Sequence, residues 1–566
     1  MSDVSSSRIS ELFFNLFPLE SFLVLCSLLI LFFIWNLTDG KKNYVPFLLL
    51  LICGIQVAHQ VAFNTHAEDS FIAYRYIHNF SEGNGLVFNI GERVEGYSDF
   101  LWICLISLIH TSFGTEIPLT ARITGSVISI LCVLLTYLIS FKLTNKSSLS
   151  LLASLLLSLS GCFSCYGPSG METSMFSFLL LLSIQAILNK RFVASGILAA
   201  LSTMTRPEGV IIFLAILAFY FFSDLNYIDK KKRLLKICSG FIILISCWTI
   251  WRLFYYHHLI PNAMAAKQGM NFFFQLYLGI LYFFDVLSLN VFLLVLFLPL
   301  LFFRDENNEP WSLFRMIRNL FQENNFSGLL YLILLFHTSF ILFVGGDWMP
   351  CARFFAPVIP ILIILLITLW SKAQDKFLIL TNYRILTLFF ILGFFYMNES
   401  FSNKKMISLV RSWNYTVEGL SEIGIWFHEL LPPNTKVAAF PNGAFSYFNQ
   451  LPTIDLLGLT DEHIARNGKK ARTGRQGHIA TDDEYVNKLR PEIIAYMGGQ
   501  GFQSAPYLRY YVPDYKINYA PVAFEFNDRK AADKFVNLLL LKEKKDELIG
   551  YLLISKDMKV MEQTLK

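Results

Sequence analysis

Glu68 and Asp69 stand side by side at the head of an amphipathic stretch, HAEDSFIAYRYIHNF, placed between apolar segments of membrane length. Charges that close to a bilayer are costly to maintain, so they usually have a function. Phe71, Tyr74, Ile77 and Phe80, set against Arg75 and His78, predict a helix with Asp69 or Ser70 as its N-cap. A carboxylate at that end lies in the positive field of the helix dipole and stays ionised. It can then take a proton from an attacking hydroxyl. A simple capping role is the alternative. Downstream, Ser81–Gly85 and Asn89–Tyr97 supply glycines for tight turns. Arg93 and Glu95 in that run suit a pair that fastens the loop.

Four other loops carry charges. Glu172, in GMET, reads equally as a helix cap or as a functional acid. In TRPEG, Pro207 and Glu208 fit a first helical turn, whereas Arg206 at membrane depth needs a partner or an anionic ligand. A third loop holds Pro261, Asn262 and Lys267 after Tyr255-Tyr256-His257-His258. The fourth, GGDWMPCARF, offers Asp347 for a sugar hydroxyl, Trp348 for stacking on a sugar face and Arg353 for a phosphate. An aromatic belt with a snorkelling arginine explains the same residues equally well.

The elements that must position these groups are apolar. The chain has 566 residues, 54% of them hydrophobic and 16% charged, with 55 phenylalanines and a net charge of +5. That balance fits a polytopic membrane protein and gives no sign of nucleic-acid binding. Length and lack of charge predict about twelve spans, at 20–37, 44–62, 121–142, 147–163, 174–189, 192–204, 208–224, 235–255, 288–303, 327–344, 354–371 and 383–398. Lysine and arginine clusters at 41–42, 142–146, 190–191 and 230–233 fall in alternate loops, which places those loops in the cytoplasm and the loops at 63–120 and 256–287 outside. Residues 98–113 and 271–287 read as helices lying along the outer interface. The nine cysteines act mostly as small apolar residues, and the Cys162-x-x-Cys165 pair lacks a redox context. No cleavable signal peptide is evident at the start.

From about residue 400 the pattern changes to short β-like runs (436–440, 492–496, 521–526) flanked by helical ones (417–431, 529–542), with Pro432-Pro433 as a helix stop. The expected architecture is therefore a transmembrane catalytic domain over 1–399 and a soluble α/β domain over 400–566 on the outer side.

The runs EDSFIAYRYIHNFSEGNGLVFNIGERVEGYSDFLW, SGMETSMFSFL, TRPEG, PNAMAAK, GGDWMPCARFFAPVIP and IDLLGLTDEHIAR, in that order, resemble the bacterial polytopic glycosyltransferases related to the terminal β-(1→2)-arabinofuranosyltransferase of actinobacterial cell walls, within the GT-C superfamily. The resemblance implies a polyprenyl-phosphate sugar donor, inverting transfer to a cell-envelope glycan or glycolipid at the outer face of the inner membrane, and an acidic pair in the first outer loop. That pair is Glu68-Asp69 here. The family more often has two aspartates, so Glu68 is a departure and Asp69 is favoured as the base. Arg206, Arg353 and Lys267 are the candidates for the donor phosphate. Arg75, Glu172, Asn262, Asp347, Trp348 and His463 are the candidates for substrate. No cofactor or metal is required, although two acids could hold a divalent cation. Arabinose itself is not implied. In the C-terminal run, Asp455, Gly458, Leu459, Asp461, His463 and Arg466, followed by Gly477-His478, read either as a sugar-guiding surface or as a turn network.

Two other readings compete. One is a catalytically silent member that assists assembly of a surface organelle such as a flagellum or secretion system. The other is a transporter, which should show mid-membrane ionisable residues or paired half-helices in two repeats. The sequence shows neither.

Overall fold

A computed structural model of the chain describes residues 45–289, 326–376, 404–473, 479–496, 515–526, 535–553 and 558–562. The expected spans at 20–37 and 383–398, most of the one at 288–303, and Gly477-His478 lie outside the described residues.

The chain divides into two compact units. The first takes in Met1–Thr65, Arg122–Ser246 and Leu276–Leu409. The second takes in His66–Ala121, Cys247–Gln275 and Val410–Lys566.

Among the described residues, five helices are long and apolar enough to cross a membrane: Val45–Phe63, Ile117–Thr144, Tyr227–Tyr256, Phe272–Leu289 and Ser327–Val344. Ser147–Leu159, Thr173–Leu188, Phe192–Thr205 and Val210–Phe222 are shorter, at 13, 16, 14 and 13 residues. A straight span needs roughly 20 residues, so the count of twelve is not reproduced by length. Phe272–Leu289 differs from its expected place along the interface, since its 18 residues suffice by length and composition to cross.

In the first unit every residue from Leu149 to Leu159 is buried, and a leucine-rich surface of that kind packs on Val45–Phe63 and Ile359–Lys376. Glycine lets two helices approach: a Cβ at Gly196 would lie 2.1 Å from the Ile237 carbonyl oxygen, and one at Gly240 2.3 Å from that of Val193. Ser183 and Ser195 join their helices by a 3.0 Å hydroxyl pair.

The second unit contains a mixed six-stranded sheet. Its strands are β1 (Val437–Phe440), β2 (Thr453–Asp455), β5 (Ile493–Tyr496), β6 (Tyr519–Phe526), β7 (Phe535–Leu541) and β8 (Met558–Glu562), in the order β2-β1-β5-β7-β6-β8. β1 runs parallel to β2 and β5, and the remaining pairs are antiparallel. A small antiparallel pair, β3 (Lys469–Lys470) and β4 (Ala480–Thr481), stands apart. The β-like runs at 436–440, 492–496 and 521–526 coincide with β1, β5 and β6. The helix expected over 529–542 does not form at its C-terminal half, where β7 lies between β5 and β6. Val536 and Leu538–Leu541 are buried there, and an apolar run this short carries no periodicity that separates a buried strand from a helix.

Candidate functional site

The helix expected after the acidic pair runs from Ser70 to Ser81, with Asp69 at its N-cap position. The Asp69 side chain makes no capping hydrogen bond. Glu68 is engaged elsewhere: its Oε1 accepts the backbone N–H of Gly443 at 2.7 Å and of Ala444 at 3.1 Å. Those amides open the helix Ala444–Asn449, so Glu68 caps a helix far along the chain. Gly443 is needed for the approach, because a Cβ there would lie 2.3 Å from the Glu68 carbonyl oxygen. Burial and the neighbouring Asp69 push the Glu68 carboxyl up to about 8, the two amides oppose the shift, and Asp455 adds weakly to it.

The rest of the first loop is fixed within the second unit by buried polar groups. The Arg75 guanidinium donates to the carbonyls of Phe88 (2.8 Å), Ser446 (2.6 Å) and Leu451 (2.7 Å) and lies 4.4 Å from the centre of the Phe88 ring. Those bonds brace the first loop. Tyr76 donates to the Val94 carbonyl and accepts the Gly96 N–H. Glu95 does not pair with Arg93; it forms a two-pronged ion pair with Arg252, at 2.8 and 2.7 Å, both residues being buried. Asn262, expected at substrate, ties the loops: its backbone N–H reaches the Glu95 carbonyl and its Nδ2 reaches the carbonyls of Gly458, Leu459 and Asp461.

The C-terminal run is held by turn and cap hydrogen bonds. Asp455 accepts the N–H groups of Leu457 and Thr460, and Asp461 caps the helix Glu462–Asn467 through Ile464. Burial raises the Asp455 carboxyl despite those bonds. His463 pairs with Asp482 at 3.1 Å and stacks on Tyr485. Lys267 is exposed just after the helix Asn262–Ala266.

The first unit brings together four of the remaining candidates. Arg206 holds Glu172 through one nitrogen and Glu208 through another, each at 2.5 Å, with all three side chains buried. Glu172 makes no side-chain cap. Arg353 holds both oxygens of Asp347, at 2.5 and 3.0 Å. Both guanidiniums lie 5.2 Å from the centre of the Phe354 ring. Phe354 is itself held, its N–H by the Tyr282 hydroxyl and its carbonyl by His337. Asp347 and Trp348 line a cavity of about 370 Å³ together with Tyr282, Asp285 and Cys351.

Sequence reading passed over Arg252, Tyr282, His337 and Phe354. Arg252 and His337 were visible as single polar residues inside apolar segments, a placement that demands a partner. The partners of Tyr282 and Phe354 leave no such mark. Among the described residues, no group of three or more histidine, cysteine, aspartate or glutamate side chains is disposed to hold a metal ion.

These features define a polytopic helical membrane protein that carries a sheet-containing C-terminal region. Its fold is similar to that of ArnT. The crystal structure of ArnT from Cupriavidus metallidurans in the apo state matches 87% of this chain and 97% of its own, with a TM-score of 0.51 and 12% identity. The structure of the same protein bound to undecaprenyl phosphate matches 88% and 98%, with a TM-score of 0.54 and 10% identity. Residues 408–539 match a domain of unknown function (DUF8728). No curated protein matches the chain.

Proposed function

We propose that this chain is a GT-C glycosyltransferase that moves one sugar, with inversion, from a polyprenyl-phosphate donor to a cell-envelope glycan or glycolipid on the outer face of the bacterial inner membrane. The observation that carries this reading is the likeness to ArnT over 88% of the chain, one ArnT structure being bound to undecaprenyl phosphate. Asp69 is the general base. Glu68 is tied to two backbone amides and raised toward its neutral form, which leaves Asp69 as the better proton acceptor of the pair.

In the reaction the acceptor hydroxyl gives its proton to Asp69, its oxygen bonds to the anomeric carbon, and the bond from that carbon to the phosphate oxygen breaks. The polyprenyl phosphate leaves with the bonding electrons. Arg353 is the first candidate to receive it, because its carboxylate partner Asp347 lines a cavity. Arg206, already flanked by two carboxylates, and Lys267 are the other candidates for the phosphate. Asp347 and Trp348 meet the sugar. No cofactor is needed for this step, since phosphate is a good leaving group.

Asp69→Asn should lower transfer by at least about a hundredfold, the usual worth of a general base, without changing membrane insertion. Mass spectrometry of lipid-linked sugars and surface glycans from wild-type, deletion and Asp69→Asn strains reads this out. Full activity in the variant overturns the base assignment. Identical glycans in wild type and deletion overturn the transferase reading and favour the assembly role.

A further inference from the structure

Cys162, Cys165 and Cys351 have no role in the proposed reaction, yet the first unit gathers them at one place. All three are buried thiols. Those of Cys165 and Cys351 are hydrogen-bonded to each other, and Cys162 lies nearby. Their neighbours along the chain meet as well. The Tyr166 hydroxyl, next to Cys165, donates to the carbonyl of Pro350, next to Cys351, across 184 residues of sequence. The Thr65 hydroxyl lies 3.2 Å from the Cys165 sulfur.

The backbone at this place is unusual. Cys351 and Ala352 are both left-handed, at φ +57° and +53°. A residue with a Cβ adopts that conformation at a cost, and it persists where the surroundings hold the chain there. The same loop carries Asp347, Trp348 and Arg353, and Cys351 lines the 370 Å³ cavity beside the first two. The lysine and arginine pattern puts residues 164–173 and 345–353 in outer loops, and thiols that face an oxidising compartment can pair and stay paired.

We propose that Cys165 and Cys351 are joined by a disulfide in the mature protein, which ties the loop 345–353 to the segment after the helix Ser147–Leu159. Two S–H bonds break and one S–S bond forms. The two electrons and two protons pass to the disulfide of a thiol oxidase, which leaves as a dithiol. Burial raises the Cys351 thiol well above its ordinary value, so in the finished fold it is a poor nucleophile. Exchange therefore takes place while the loop is still open, and the closed fold then shields the bond. Cys165 finds its partner in a distant loop, and Cys162, its companion in the Cys-x-x-Cys pair, stays reduced. The tie rests on the outward placement of these loops in the proposed function. It does not depend on sugar transfer.

The test is a thiol map of the full-length wild-type protein, so no variant has to fold. Membranes from cells with and without a periplasmic thiol oxidase are quenched in acid, denatured, alkylated with N-ethylmaleimide and digested without reduction. Mass spectrometry should find peptides joined through Cys165 and Cys351, with Cys162 alkylated, in cells that have the oxidase. Cells that lack it should yield all three residues alkylated. In nanodiscs, prolonged treatment with a phosphine reductant should lower the thermal unfolding midpoint by about 5 °C in the wild type and in Cys162→Ser, and leave Cys351→Ser unchanged. Alkylated Cys165 and Cys351 in cells with the oxidase, a bond between Cys162 and Cys165 in their place, or an equal response of Cys351→Ser to the phosphine overturns the tie. A joined pair in a protein that transfers no sugar keeps the tie and removes only the transferase reading. Alkylated thiols in an active transferase remove the tie alone.

Discussion

At Glu68 the amides of Gly443 and Ala444 hold a carboxylate that burial and Asp69 together drive toward its protonated form. Because the folded-state pKa lies above the ordinary glutamate value, the group favours folding fully below that value and loses the benefit as pH rises toward about 8. Glu68→Gln keeps an oxygen for the two amides and removes the titration. Thermal unfolding in detergent should therefore show the wild type losing stability between about pH 5 and 8 relative to Glu68→Gln. A stability difference between the two that stays constant from pH 5 to 8 contradicts this. The acids themselves were legible in the sequence, as was the helix they precede. Which of them had another partner was not. Gly443 is 375 residues from Glu68, and Ser446 is 371 from Arg75. Contacts over such distances leave no periodic trace, and the bonds that fix Arg75 are to backbone carbonyls, which any sequence supplies.

The helix Tyr227–Tyr256 delivers Arg252 to Glu95 and also lays the guanidinium 4.7 Å from the Trp248 ring. A buried pair of this geometry is most damaging when half of it is removed. Arg252→Met should destabilise the folded protein by about 3–5 kcal/mol, and adding Glu95→Gln should recover part of the loss. Additive losses in a double-mutant cycle show that the two are not coupled. Sequence favoured Arg93 as the partner of Glu95 because it is two residues away. The helix places Arg252 instead, and only the placement of an arginine inside an apolar span gave warning. The described apolar helices fall where length without charge predicts them, but five of them, not twelve, are long and apolar enough to cross a membrane, and Phe272–Leu289 is one of these. Strand β7 was misread because its leucines suit a helix in isolation, and its place between β5 and β6 decides otherwise.

Across the molecule the lysine and arginine clusters predict which ends of the helices face the cytoplasm. Fusions of a fluorescent protein at Asn145 and Asn226 should fluoresce, and fusions of alkaline phosphatase at Gly269 and Gly345 should be active outside. The opposite pattern reverses the orientation. The second unit has a further consequence. It is drawn from three stretches, 66–121, 247–275 and 410–566, with segments of the first unit between them. Arg75, translated early, therefore has no Ser446 or Leu451 to grip until most of the polypeptide has left the ribosome. The nascent first loop must wait, and a chain arrested before residue 446 cannot settle it. Maturation is thus timed by the last-made third of the polypeptide, and prematurely terminated products carry the acidic pair on an unsupported loop, open to proteolysis.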